Sequence, residues 1–175
     1  MIELKKHNLI LDHRYDVKAK RHYLNGFNIV FHCHHYTTLY TQLAIDAGET
    51  ELLAKVSEEI FLEMLKSYYE QHDVKTLEDR IHYGCQYYAA VGLGKMVLQY
   101  FGDDSGQVKL EKSHVDSGWI KKWGQFDKPV NFIGKGFVAA LFAAINDAPI
   151  STFYVEETES IVMGAEHSIF RVVKK

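Results

Sequence analysis

The stretch VNFIGKGFVAALFAAINDAPISTFYVEETESIVMGAEHSIFRVV, residues 130–173, decides the fold. Asn131 opens a helix in which Phe132, Ile133, Gly136, Phe137, Ala140, Leu141 and Ala144 recur at helical spacing and point inward. Its glycines and alanines leave room for another backbone to approach. Pro149 then ends the helical pattern. Strands are predicted over 150–157 and 166–173. The Glu-rich turn at Glu156, Glu157 and Glu159 between them reads as a solvated edge. The ending is therefore helix–strand–strand.

Outward from this ending, the pattern stays mixed. Met96 to Phe101 and Val108 to His114 read as strands joined by the turn Gly102–Gly106, and Trp119 to Trp123 as a short amphipathic helix. Three helices are predicted upstream. In the first, Tyr36, Leu39, Tyr40, Leu43 and Ala44 share a stripe that Gly48 stops. Thr50 caps the second, whose stripe is Leu53, Val56, Ile60, Met64 and Tyr68. Thr76 and Asp79 form a capping box for the third, which runs through Leu77, Ile81, Gly84 and Tyr88 and breaks at Gly92-Leu-Gly94. Phe27, Ile29 and Phe31 alternate as a half-buried strand after Gly26. Residues 2–12 alternate weakly, as one or two short strands with a turn near His7-Asn8. The sum is an α+β domain, helices packed on an antiparallel sheet.

A chain of 175 residues with 47% hydrophobic side chains, two prolines and no linker tract reads as a single domain, 1–175. A formal charge of −3 with interspersed signs offers no basic face, so nucleic acid is not an expected partner. No apolar run reaches the ~18 residues of a membrane span, and the first residues lack the apolar core of a secretory signal. Two cysteines, Cys33 and Cys85, form no disulfide framework, and the expected location is the cytoplasm.

Within the tail, Glu157, Ser160, Gly164, Ser168 and Phe170 stand in register with a Glu-x-x-Cys-x-x-x-Gly-x-x-x-Cys-x-Phe pattern. Gly92-Leu-Gly94-Lys95 before one strand and Ser113-His114 after the next match further junctions, so the likeness covers roughly residues 75–173. This order resembles the 4-vinyl reductase-like domain family, whose fold is similar to that of a trafficking-complex (TRAPP) subunit. The resemblance implies a small-molecule- or hydrocarbon-binding, often sensory, domain, and a homodimer joined through apolar helix faces such as Leu52 and Phe61. The family name implies reduction of a tetrapyrrole vinyl group. The two family cysteines would supply soft metal ligands or a redox pair. Here they are Ser160 and Ser168, and a neutral hydroxyl is a poor zinc ligand beside thiolate or imidazole. The segment's expected role is structural: Gly164 in the turn, Phe170 in the core, and the two serines as cross-strand hydrogen-bonding partners.

Gly92-x-Gly94 lacks the third glycine of a dinucleotide fingerprint and precedes a strand, so no nucleotide site is read there. No Gly-x-Ser-x-Gly elbow is present. The sharpest chemical signal is His32-Cys33-His34-His35. Extended, it places His32 and His34 on one face; helical, it places His32 and His35 one turn apart. Imidazole and thiolate suit zinc, iron or copper, and a histidine also ligates haem. Cys85, His82 and His114 are distant candidates to complete such a site. The alternative is a strand-to-helix junction whose histidines bond to backbone or line a cavity. Tyr36, Tyr40, Tyr83, Tyr87 and Tyr88, with His114, form a candidate ligand pocket between helices and sheet.

Three readings stand. One is a non-catalytic or sensory domain for a hydrophobic small molecule. The second is a metal- or haem-dependent enzyme or redox protein built on the His32–His35 cluster. The third is a structural interaction module.

Overall fold

The computed structural model describes residues 9–31 and 33–175. A three-stranded antiparallel meander comes first: β1 (His13–Asp16), β2 (Arg21–Leu24) and β3 (Phe27–Ile29), in the order β1-β2-β3. Three helices follow, α1 (His34–Ala47), α2 (Thr50–Gln71) and α3 (Leu77–Ala90). The hairpin β4 (Gly94–Phe101) and β5 (Ser105–Ser113) leads into α4 (His114–Trp123) and α5 (Phe132–Ile145). The chain ends with β6 (Phe153–Glu159), a 3₁₀ turn at Ile161–Met163, and β7 (Ser168–Lys174). The second sheet is antiparallel throughout, in the order β4-β5-β7-β6. The architecture is α+β, as expected, with five helices on two antiparallel sheets among the described residues. No helix of the described residues is long and apolar enough to cross a membrane.

The core lies between α5 and its neighbours. Every residue from Gly136 to Ile145 is buried, so α5 must be covered on all sides. The sheet covers one side with Val108, Leu110, Phe153, Val155, Phe170 and Val172. On another, α2 lies against α5 at backbone distance: a Cβ at Gly136 would collide with the Ala54 carbonyl oxygen and crowd Ser57. Ser57 Oγ donates to Ile133 O at 2.8 Å, which satisfies a hydroxyl buried in that contact. Asn131 caps α5 at one end, accepting from Gly134 N at 2.8 Å. At the other, Arg80 Nη1 donates to Ile145 O at 3.0 Å and pairs with Asp147 at 2.8 Å, neutralising the carbonyl end of the helix.

Three sequence expectations change. The apolar stripe of α1 faces outward: Tyr36, Leu39, Tyr40 and Leu43 are exposed, and Thr37, Thr38 and Thr41 are buried against α4. Gly118 permits this, since any side chain there would meet His34 and Thr38. The buried threonines donate to their own helix, Thr37 and Thr38 to His34 O and Thr41 to Thr37 O. On α2 the inward face is rotated: Ala54, Ser57, Glu58, Leu62 and Leu65 join Met64 and Tyr68 inside, while Val56 and Ile60 are exposed. Third, β1 and β2 are additional strands, while 9–12 is not a strand. The remainder of the expected 2–12 segment, residues 2–8 with the turn near His7-Asn8, lies outside the described residues.

The α2–α5 contact yields a direct check. Gly136→Ala is expected to lower stability by about 1–3 kcal/mol, as overpacking does, read as a reduced urea midpoint with an unchanged slope. A wild-type midpoint would show that α2 yields without cost.

Candidate functional site

Beneath the meander lies a cavity of about 480 Å³. Its walls are Leu11, Leu24, Ile29, Val30 and Phe31 from the meander side, Phe61 and Met64 from α2, and Ala90, Val91 and Leu93 from the end of α3. Among the described residues of that lining, His13 is the one polar side chain. Its Nε2 lies 3.0 Å from Nδ1 of His22, with the two rings nearly parallel at 11°. One imidazole donates and the other accepts. Phe31 meets both rings edge-on, at 5.8 and 4.8 Å between centroids.

Local sequence holds the meander over this space. Asn25 and Gly26, both at positive φ (49° and 87°), form a two-residue hairpin turn with Leu24 opposite Phe27. Asn25 Oδ1 accepts from Asp12 N at 2.8 Å, and Asn25 N donates to Asp12 O at 2.9 Å. The Tyr68 hydroxyl accepts from Ile10 N at 3.0 Å. Asn25 also faces the Tyr87 hydroxyl, which burial pushes up to about 12. The Tyr68 hydroxyl thus anchors the segment that leads into the N-terminal sheet.

A second apolar cleft, about 500 Å³, separates α3 from the edge strand β4 and includes Ile81, His82, Cys85, Met96 and Phe101. Burial pushes the Cys85 thiol up to about 11, so it is protonated at neutral pH.

The expected site residues are not gathered into one place. Tyr36 and Tyr40 lie on the outer face of α1, with rings 6.3 Å apart. Tyr87 and Tyr88 are core residues, and Tyr83 packs near Tyr68 at 5.8 Å. None of the five lines the two cavities above. His34 and His114 do meet, 6.0 Å apart across α1 and α4. His35 lies 4.3 Å from His34, and Cys33 Sγ is 3.5 Å from His35 Nδ1. Burial, followed by the neighbouring His35 and Lys121, lowers the His34 pKa, which favours the neutral ring. His32 lies outside the described residues. Among the described residues no three His, Cys, Asp or Glu side chains assemble as a metal cluster, and Cys85 sits in the α3–β4 cleft.

A polar cluster where the ends of β5, β6 and β7 meet α4 and α5 was not foreseen. Glu157 is not a solvated edge residue: its carboxyl group lies against Ser160 and Ser168, and its Oε1 is sealed from solvent. Asp116, in the first turn of α4, is fully buried beside it. Asn131 Nδ2 donates to Asp116 Oδ2 and to Ser113 Oγ, each at 3.1 Å. Burial raises the pKa of both acids, and for Glu157 the charge of Asp116 adds to it. The signal in the sequence was period two, since Glu157 shares a face with Phe153 and Val155.

No protein-family model matches the chain, and no curated protein matches it. Solved structures do. The phenol-responsive sensory domain of the transcription activator PoxR, solved with phenol, aligns with a TM-score of 0.77 at 13% identity, over 93% of this chain and 84% of that one. Subunit 3 of a trafficking protein particle complex from Naegleria fowleri, covalently bound to palmitic acid, gives 0.53 at 12% identity over 81% and 91%. A vinyl-4-reductase family protein from Methanocaldococcus jannaschii gives 0.53 at 15% identity over 84% of each chain. The chain thus has the fold that a phenol-responsive sensory domain, a trafficking subunit and a vinyl-4-reductase family protein share.

Proposed function

We propose that this protein is a non-catalytic, small-molecule-binding or sensory domain whose ligand sits beneath the meander. The cavity between β1–β3, α2 and α3 carries the reading. Its volume of about 480 Å³ falls within the ~300–1,000 Å³ of small-molecule pockets, and walls that are apolar but for His13 among the described residues suit a largely hydrophobic ligand. His13, fixed by His22, is the group that would orient it. Two solved proteins of this fold carry such molecules, one phenol and the other covalently bound palmitic acid. The two free thiols, Cys33 exposed and Cys85 half-buried, are consistent with a reducing compartment such as the cytoplasm.

A homodimer fits the same picture. Tyr36, Leu39, Tyr40 and Leu43 of α1 and Leu52, Val56 and Ile60 of α2 are between 42% and 55% exposed. Outward apolar stripes on two successive helices are what an isologous contact between copies would cover.

Phenol and palmitate are the first probes. Saturating amounts of one of them are expected to raise the melting temperature, with a gain of about 2.7 kcal/mol at a hundredfold excess over Kd. Ala90→Trp, which fills the cavity from the α3 side, is expected to abolish that gain. No shift from either probe, or an unchanged shift in Ala90→Trp, would remove the meander cavity as the site. Sedimentation equilibrium is expected to show dimer at micromolar concentration and monomer for Tyr40→Asp combined with Leu43→Asp. A monomeric wild type would refute the dimer.

A further inference from the structure

The tail does not fit a soft metal, because Ser160 and Ser168 put hydroxyls where thiolates would stand. The chain's thiol–imidazole contact lies elsewhere, at the start of α1. Cys33, the N-cap residue of that helix, is an exposed free thiol. Its Sγ lies 3.5 Å from Nδ1 of His35, which is also exposed. In the free chain this is a thiol–imidazole hydrogen bond. The same separation is the bite of a metal ion. A tetrahedral zinc with Zn–S of ~2.3 Å and Zn–N of ~2.0–2.1 Å holds its sulfur and nitrogen ~3.5–3.6 Å apart.

The neighbouring histidine supports this pair from behind. His34 packs its ring on that of His35, with centroids 4.3 Å apart, and meets His114 at 6.0 Å. It lies against Gly118 of α4, where an added Cβ would come within 3.0 Å of its own, and its Nε2 is closed to solvent. His34 is thus committed to the α1–α4 contact, and Cys85 sits in the α3–β4 cleft. Among the described residues one chain therefore offers two donors here, half of a tetrahedral set. The position of the pair points to the other half. Helical spacing sets Cys33 and His35 on either side of the stripe Tyr36, Leu39, Tyr40 and Leu43, the exposed apolar face that a second copy would cover. An isologous contact brings the same patch of each copy together, and with it a second Cys33–His35 pair.

We propose that Cys33 and His35 of two copies together bind one zinc ion, held by two sulfurs and two nitrogens on the twofold axis at the N-terminal end of α1. The site rests on the homodimer reading and fixes where the dimer axis runs. Each thiol gives up its proton as its sulfur bonds the metal, so one zinc releases two protons and no electron moves. Two thiolates and two neutral imidazoles leave the zinc complex without net charge, which suits the edge of an apolar contact. The thiolates lie at the N-terminus of α1, whose first turn carries no acid to repel them.

Sedimentation equilibrium of the full chain, with zinc or with a chelator in its place, tests this. Zinc is expected to tighten the wild-type dimer by about tenfold or more, at one zinc per two chains. It is expected to give no such tightening in Cys33→Ser or His35→Ala. Cobalt in place of zinc is expected to show the intense visible bands of a tetrahedral ion together with a sulfur-to-cobalt charge-transfer band. That spectrum of the wild type decides the ligation even if a variant fails to fold. A wild-type dimer that zinc does not tighten, or that binds one zinc per chain, overturns the site and leaves the homodimer standing. Tightening that survives in Cys33→Ser overturns it as well. A chain that is monomeric with and without zinc overturns both.

Discussion

The burial of α5 on every side is the constraint from which the rest of the structure follows. A helix that is apolar all round has no solvated face, so its neighbours are dictated by its surface. The sheet takes the side offered by Phe142, which packs between Phe101 and Phe153 at 5.3 and 5.7 Å, while Phe137 meets Phe61 of α2 and Tyr88 of α3 at 4.9 and 4.7 Å. On α2, the residues that meet Gly136 must be small or hydrogen-bonded, which places Ala54 and Ser57 at that contact rather than the larger Val56. The rotation of α2 that exposes Val56 and Ile60 is a consequence of seating Gly136.

The same constraint explains why a polar cluster survives in the interior. The N-cap of α5, Asn131, is buried, so free N–H groups at this end call on protein acceptors. Asn131 supplies one through its side chain, and the Glu157 carboxyl group lies near its backbone. Around that acid stand Ser160, Ser168 and Asp116, with Glu157 Oε1 left unpartnered. Buried polar groups are tolerated when they satisfy one another. Such a network costs stability relative to an apolar core, but it fixes how two helices and two strand ends meet.

Much of this was legible in the sequence, and the omissions have physical causes. The caps at Thr76 and Asn131 and the stop at Gly48 were readable because capping depends on a few adjacent atoms. The stripe on α1 was read correctly as a stripe, but periodicity says which residues share a face and not which way the face turns. That choice belongs to Gly118, eighty residues later in the chain, which lets α4 close on the threonine side. The strands His13–Asp16 and Arg21–Leu24 are largely polar and carry no apolar alternation to betray them. Their one local signal was Asn25-Gly26, a hairpin dipeptide read only for its glycine. The five tyrosines are dispersed because aromatic content does not distinguish a cavity wall from a filled core: Tyr87 and Tyr88 fill the core, and Tyr36 and Tyr40 face outward. Glu157 was assigned to solvent on its charge, whereas period two along β6 places it inward with Phe153 and Val155.

Tyr87 and Tyr88, adjacent on α3, face both the meander turn and the Asp116–Glu157 cluster. Successive residues on a helix point about 100° apart, so Tyr87 and Tyr88 face different surroundings from one turn of α3. Tyr87 meets Asn25, the residue that forms the meander turn and holds Asp12. Tyr88 meets Asn131, which holds Asp116 and caps α5. Coupling between two sites requires an element that both of them bias. The end of α3 also walls the meander cavity through Ala90 and Val91. A molecule that lifts or tightens the meander therefore acts on α3 at one residue, and the next residue on that helix abuts the Asp116–Glu157 cluster. The chain's two least ordinary features, an apolar space under a small sheet and a buried pair of acids, meet in a single helical turn.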